Sequence, residues 1–145
     1  MPFEVLRVPV WTDNYAWLLV RGAEAILVDG PEAGPILALL QERGLRLTHI
    51  LNTHHHGDHV GANLGLVERF PGLQVWGGRH DAERGRIPGQ TRSFDDGERF
   101  ELLGAAGSVR ALPGHTLGHI GWFFDGGEAF VGDTLFAGGC GRLFE

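Results

Sequence analysis

Seven consecutive residues, Thr53-His54-His55-His56-Gly57-Asp58-His59, constrain this chain more than any other stretch, because His54, His56, Asp58 and His59 crowd metal-binding groups into one short segment. The preceding run, Leu47-Thr48-His49-Ile50-Leu51-Asn52, reads as a buried strand, and apolar residues at helical spacing begin near Val60. The cluster therefore belongs on a strand-to-helix loop, where a rigid scaffold holds functional groups. On an extended segment His54 and His56 point to one side and His55 to the other, so His54 and His56 form a pair and His55 is not a ligand. Asp58 and His59 follow at the turn into the helix. One backbone does not readily wrap four donors around a single tetrahedral ion, so two adjacent ions are expected. A His/Asp set without cysteine suits an open, catalytic site holding zinc, with iron or manganese as alternatives, and excludes a thiolate structural zinc. His49 and His80 stand alone and read as ordinary surface or hydrogen-bonded residues.

The pattern Thr-His-x-His-x-Asp-His resembles the signature of the metallo-β-lactamase superfamily. That resemblance implies an α+β chain folded as an αββα two-sheet sandwich binding one or two metals. It also implies a third ligand for the first metal at His115, in Pro113-Gly114-His115-Thr116-Leu117-Gly118-His119, and a bridging carboxylate at Asp133, in Val131-Gly132-Asp133-Thr134. His54, His56 and His115 would then hold one ion, and Asp58, His59 and Asp133 the other. His119, opening an apolar strand, reads as structural. Asp29, closing a strand, is either the acidic residue with which the superfamily supports its metal loop or a turn-forming Asp.

Two further stretches narrow the branch. Thr12-Asp13-Asn14-Tyr15-Ala16-Trp17-Leu18 resembles the opening of the glyoxalase II enzymes, the hydroxyacylglutathione hydrolases, and Gly138-Gly139-Cys140-Gly141-Arg142-Leu143-Phe144-Glu145 resembles their substrate segment. Arg142 and Phe144 match the basic and aromatic positions beside glutathione. The persulfide dioxygenases share Gly-Cys-Gly-Arg but continue differently. The resemblance thus implies metal-dependent hydrolysis of a glutathione thioester such as S-lactoylglutathione, with water as nucleophile and Asp58 serving catalysis as a ligand. Iron-dependent persulfide dioxygenation and a non-catalytic metal-binding fragment are the alternatives. Cys140 reads as a packed thiol, since the metal already supplies the nucleophile. The match stops before the superfamily's last metal-binding histidine and the helical glutathione-binding domain, so the fold is expected to be incomplete at its C-terminus.

Composition bounds the rest. The 145 residues suit one domain, 1–145, with 43% hydrophobic content to fill a core. A formal charge of −6 points to a small-molecule substrate and away from nucleic acid or an anionic membrane. No apolar run approaches the ~18 residues of a membrane helix, and Met1 leads straight into a strand pattern, so a cytoplasmic enzyme is expected. Many of the 24 glycines flank the candidate ligands, as tight loops converging on one place require.

Period-two and helical patterns then predict the elements. Strands fall near Phe3–Val10, Tyr15–Val20 and Ala25–Val28 as a meander. A helix runs from Pro31 to Gly44, and the strand Leu45–Thr53 reaches the cluster. A helix from Val60 to Phe70 presents Val60, Leu64 and Val67, and Leu73–Trp76 is a short strand. Arg79–Gly89 is ambiguous, one helical turn and a loop. Strands near Arg99–Leu103, Ser108–Leu112, His119–Phe124 and Ala129–Val131 form a second sheet.

Overall fold

The structure, a computed structural model, describes residues 3–10, 14–112, 119–131 and 140–142. Strands β1 (Glu4–Val10), β2 (Asn14–Arg21) and β3 (Glu24–Val28) pair antiparallel, as the short polar turns between them require. The chain then crosses over through α1 (Ala33–Arg43) and continues as β4 (Arg46–Leu51), β5 (Gln74–Gly78) and β6 (Arg92–Phe94), each parallel to its predecessor. Parallel neighbours need such crossovers. Here α2 (Gly57–Val60) and α3 (Asn63–Arg69) link β4 to β5, and α4 (Arg79–Glu83) links β5 to β6. Gly44 stops α1 at φ 64°, its amide reaching back to the carbonyls of Leu40 and Gln41. Pro31 lies ahead of the helix rather than in its first turn.

The second sheet contains β7 (Arg99–Leu102), β8 (Ala105–Ala111), β9 (Ile120–Phe124), β10 (Glu128–Phe130) and β11 (Cys140–Arg142), in the order β11-β10-β9-β8-β7. The first is six-stranded and runs β1 to β6 in sequence order. Alternation along its strands divides the core. Leu18, Leu27 and Ile50 pack with Ile36, Leu40 and Leu66 of the helices, whereas Leu19, Ile26 and Leu51 pack with aromatic residues of the second sheet. Between the sheets Trp122 meets Phe94 at 5.2 Å and Phe100 at 5.5 Å, both edge-on, the arrangement aromatic quadrupoles favour. The expected two-sheet sandwich is present. Among the described residues no helix is long and apolar enough to cross a membrane.

Three details differ from the sequence reading. The helix expected from Val60 to Phe70 is broken, because the amide of Ala62 bonds to the carbonyl of Gly30 at 3.0 Å and Gly30 bonds back to His59 at 2.8 Å, pulling the chain out of helical register. Leu64, expected on the buried stripe, is 62% exposed, and Asn63 and Leu66 take the inward positions. Strands β6 and β11 were not expected. The first is three residues with one buried side chain, and the second lies in a Gly-rich stretch that masks its period.

Candidate metal centre

The ends of β3 and β4 lie side by side in parallel register, Val28 opposite Leu51, so the turns that leave them meet. Asp29 leaves β3 at φ 55°, a left-handed angle that Asp tolerates better than most residues. There its buried carboxylate takes four donors. Oδ1 accepts the amide of Thr53 at 2.9 Å and the side-chain amide of Asn52 at 3.3 Å. Oδ2 accepts the Thr53 hydroxyl at 2.7 Å and Nδ1 of His59 at 2.8 Å. Burial pushes this carboxyl's pKa up, but the His59 imidazole and the hydrogen bonds from His59 and Thr53 outweigh that, and it lies below the usual 3.8. Asp29 thus braces the loop that carries the histidines while itself occupying the turn after β3.

This carboxylate also fixes tautomers. An ionised carboxylate only accepts, so His59 carries its proton on Nδ1. The Thr53 hydroxyl, having given its hydrogen to Asp29, accepts from Nδ1 of His54 at 3.0 Å. In a neutral ring held this way Nε2 is the lone-pair atom, the state a metal requires. The two ring centres are 4.1 Å apart, and His56 lies 4.9 Å from His54. His54 is fully buried. Imidazoles gathered this closely, two of them engaged at Nδ1 from behind, fit a divalent ion.

Asn52 extends the support. Its side-chain amide also donates to the carbonyl of His59 at 3.1 Å, and its oxygen accepts from Asn63 at 2.7 Å. Asn63 in turn holds the carbonyl of Pro88 at 3.0 Å, so the first turn of α3 is tied to the loop. Neither asparagine was singled out from sequence, although both are buried amides, a type that is rarely buried without a structural duty. His119, read as structural from the sequence, is buried in the structure. Its buried ring lies 4.8 Å from that of His54, and the amide of Ile120 bonds to the carbonyl of Thr53 at 2.8 Å, joining the second sheet to the loop.

Of the residues named from sequence, the structure brings together His54, His56 and His59. Asp58 lies on α2 and Arg142 on β11 opposite Glu128, but their side chains fall outside the described set, and His115, Asp133 and Phe144 lie outside the described residues altogether. Among the described residues no three donors already form a metal-binding group. Each expected set draws on at least one residue outside them. A small cavity of about 170 Å³, lined by His80, Asp95 and His119, opens beside the cluster. Larger hollows, of about 370 Å³ along Ile87–Ser93 and about 500 Å³ against Arg99 and Arg110, are lined by none of the clustered histidines.

The family model described as the metallo-beta-lactamase superfamily matches residues 9–145. The hydroxyacylglutathione hydrolase of Gloeothece citriformis is 48% identical over 98% of this chain and 58% of its own length. The chain thus spans little more than half of that curated relative. Among solved structures, TTHA1623 in a di-iron-bound form shares 33% identity at a TM-score of 0.68, covering 93% of this chain and 75% of that one. ETHE1 from Myxococcus xanthus shares 28% at a TM-score of 0.75, covering 94% and 59%.

Proposed function

We propose, for a chain that belongs to the metallo-β-lactamase superfamily, the hydrolysis of glutathione thioesters such as S-lactoylglutathione to a hydroxy acid and glutathione. The observation that carries the reading is the Asp29 network, which engages Nδ1 of His59 directly and Nδ1 of His54 through Thr53. The likeness to a hydroxyacylglutathione hydrolase, over 98% of this chain and 58% of that protein, supports the substrate class. The superfamily implies a divalent metal site. His54, His56 and His115 would hold one ion, and Asp58 and His59 the other with Asp133 between them. Zinc is the ion we assign, and the di-iron form of a structural relative supports iron as the alternative. When bound, such a pair acidifies water and polarises a carbonyl.

The chain's own residues supply orientation. Asp29 and Thr53 keep the imidazoles in one tautomer through turnover, and Asn52 and Asn63 keep the loop from re-aiming them. Arg142 and Phe144 would meet the glutathione portion, leaving the acyl end toward the histidines. A chain charge of −6 fits a small-molecule partner rather than nucleic acid or an anionic membrane.

Thiol release from S-lactoylglutathione by the zinc-loaded protein, compared with His54→Ala prepared identically, tests the proposal. Release by the first and not the second is expected. The second reading is iron-dependent persulfide dioxygenation, favoured by the Gly-Cys-Gly-Arg stretch. Oxygen uptake with glutathione persulfide and no thiol release would replace the hydrolase reading with it.

A further inference from the structure

Helix α4 carries a carboxylate that the metal reading does not use. Asp81 is fully buried, and neither of its oxygens accepts a hydrogen bond. A charge in that setting is costly unless something offsets it. Two imidazoles face the same oxygen, Nδ1 of His55 at 3.4 Å and Nδ1 of His80 at 3.7 Å, and both nitrogens are themselves buried without a hydrogen-bond partner. Both approaches are ion-pair distances rather than hydrogen bonds, and they leave the carboxylate and the two imidazoles facing one another in a buried setting. His80 is the chain neighbour of Asp81 and comes with it. His55 arrives from the loop between β4 and α2, so its approach ties two separate elements together.

The place of His55 in the chain gives this tie its meaning. It stands between His54 and His56 in the loop after β4, and its ring lies edge-on to that of His56 at 5.0 Å, so where His55 is held bears directly on where its neighbours sit. We propose that Asp81 is a positioning residue: through His55 it holds the His54–His56 segment from α4, as Asp29 holds it from β3. His55 is then no ligand but the counterweight that keeps both neighbours facing the ion. The proposal rests on the metal reading above, and its failure is separable from the failure of that reading.

The test uses the full 145-residue chain loaded with zinc, with Asp81→Asn as the nearly isosteric variant. Two quantities are read: the rate of metal loss to an excess of chelator, and the ring tautomer of His55 by nitrogen-15 NMR in the metal-free protein. We expect metal loss about 10-fold faster at unchanged saturating stoichiometry, the order of effect that outer-shell partners of a metal site have. The tautomer balance of the His55 ring should differ between the wild type and Asp81→Asn, because the carboxylate that its Nδ1 faces has been replaced by an amide. A residue that merely packs α4 would lower the melting temperature and move neither quantity. If Asp81→Asn does not fold, His55→Gln is measured instead, with the same expected rate. An unchanged rate in the folded variant overturns the proposal, as does a third tightly held metal ion lost together with Asp81, which would make the cluster a cation site. His80→Gln should match the wild type, and loss of metal retention there would likewise overturn it. If His54→Ala keeps its zinc, the metal reading itself has failed.

Discussion

The indole N–H of Trp122, on the second sheet, donates to the backbone carbonyl of Asn52, on the first, at 3.1 Å. This buried bond joins the sheets one residue before the histidine segment begins, at a residue whose side chain already serves Asp29. Trp122→Phe keeps an aromatic ring among Phe94 and Phe100 but leaves that carbonyl without its donor. It should cost about 2 kcal/mol or more in urea unfolding. A loss within error would mean that the carbonyl finds another donor.

Asp29→Asn preserves the left-handed angle at that position, since Asn tolerates it as well as Asp does. It removes the charge and points an amide N–H₂ at groups that themselves donate. His59 then loses its fixed tautomer, and metal affinity at the site it serves should fall about 10- to 100-fold. Metal titration of the purified variant reads this directly, and wild-type affinity would show that Thr53 and Asn52 suffice.

His54→Ala should abolish binding of the first metal, because a fully buried imidazole is replaced by a methyl group that cannot ligate. In His55→Ala the metal content at saturation should stay near the wild-type level. Equal loss of metal content in the two variants would mean that the facing of the segment has been assigned backwards.

Gly107 on β8 leaves no space for a side chain. A Cβ there would meet the carbonyl oxygen of Phe123 and come within 2.6 Å of the Phe100 ring. The carbonyl belongs to a paired strand and cannot retreat, so Gly107→Ala should lose about 1–3 kcal/mol of stability. A thermal melt indistinguishable from the wild type would show that the Phe100 ring and the strand shift cheaply.

Arg142→Ala should raise KM for the glutathione thioester more than it lowers kcat, the signature of lost substrate binding. Kinetics unchanged in both parameters would remove Arg142 from the substrate site.

The sequence spelled out the strand-to-helix position of the histidine segment, because a buried strand and a cluster of donors are both local signals. The meander and most strands of the second sheet were legible for the same reason, since a period of two survives in short windows. What it hid depends on distant partners. Nothing along the chain says that Asp29 collects donors from Asn52, Thr53 and His59, because the contact exists only once β3 and β4 lie parallel. The approach of His119 to His54 arises between sheets, and Asp81 gains its place only when α4 closes over the loop. The break before α3 comes from Gly30, far away in sequence, capturing an amide that a lone helix would have used itself.

Because β3, β4 and β5 run parallel, the turns that follow them open along one rim of the sheet, while the core lies among the strands behind. The rim and the core are joined rather than separate: Trp122 of the core holds the carbonyl of Asn52 at the rim, and Gly30 at the rim lies against the Ile36 methyl of the core. A substitution on either side is therefore felt on the other.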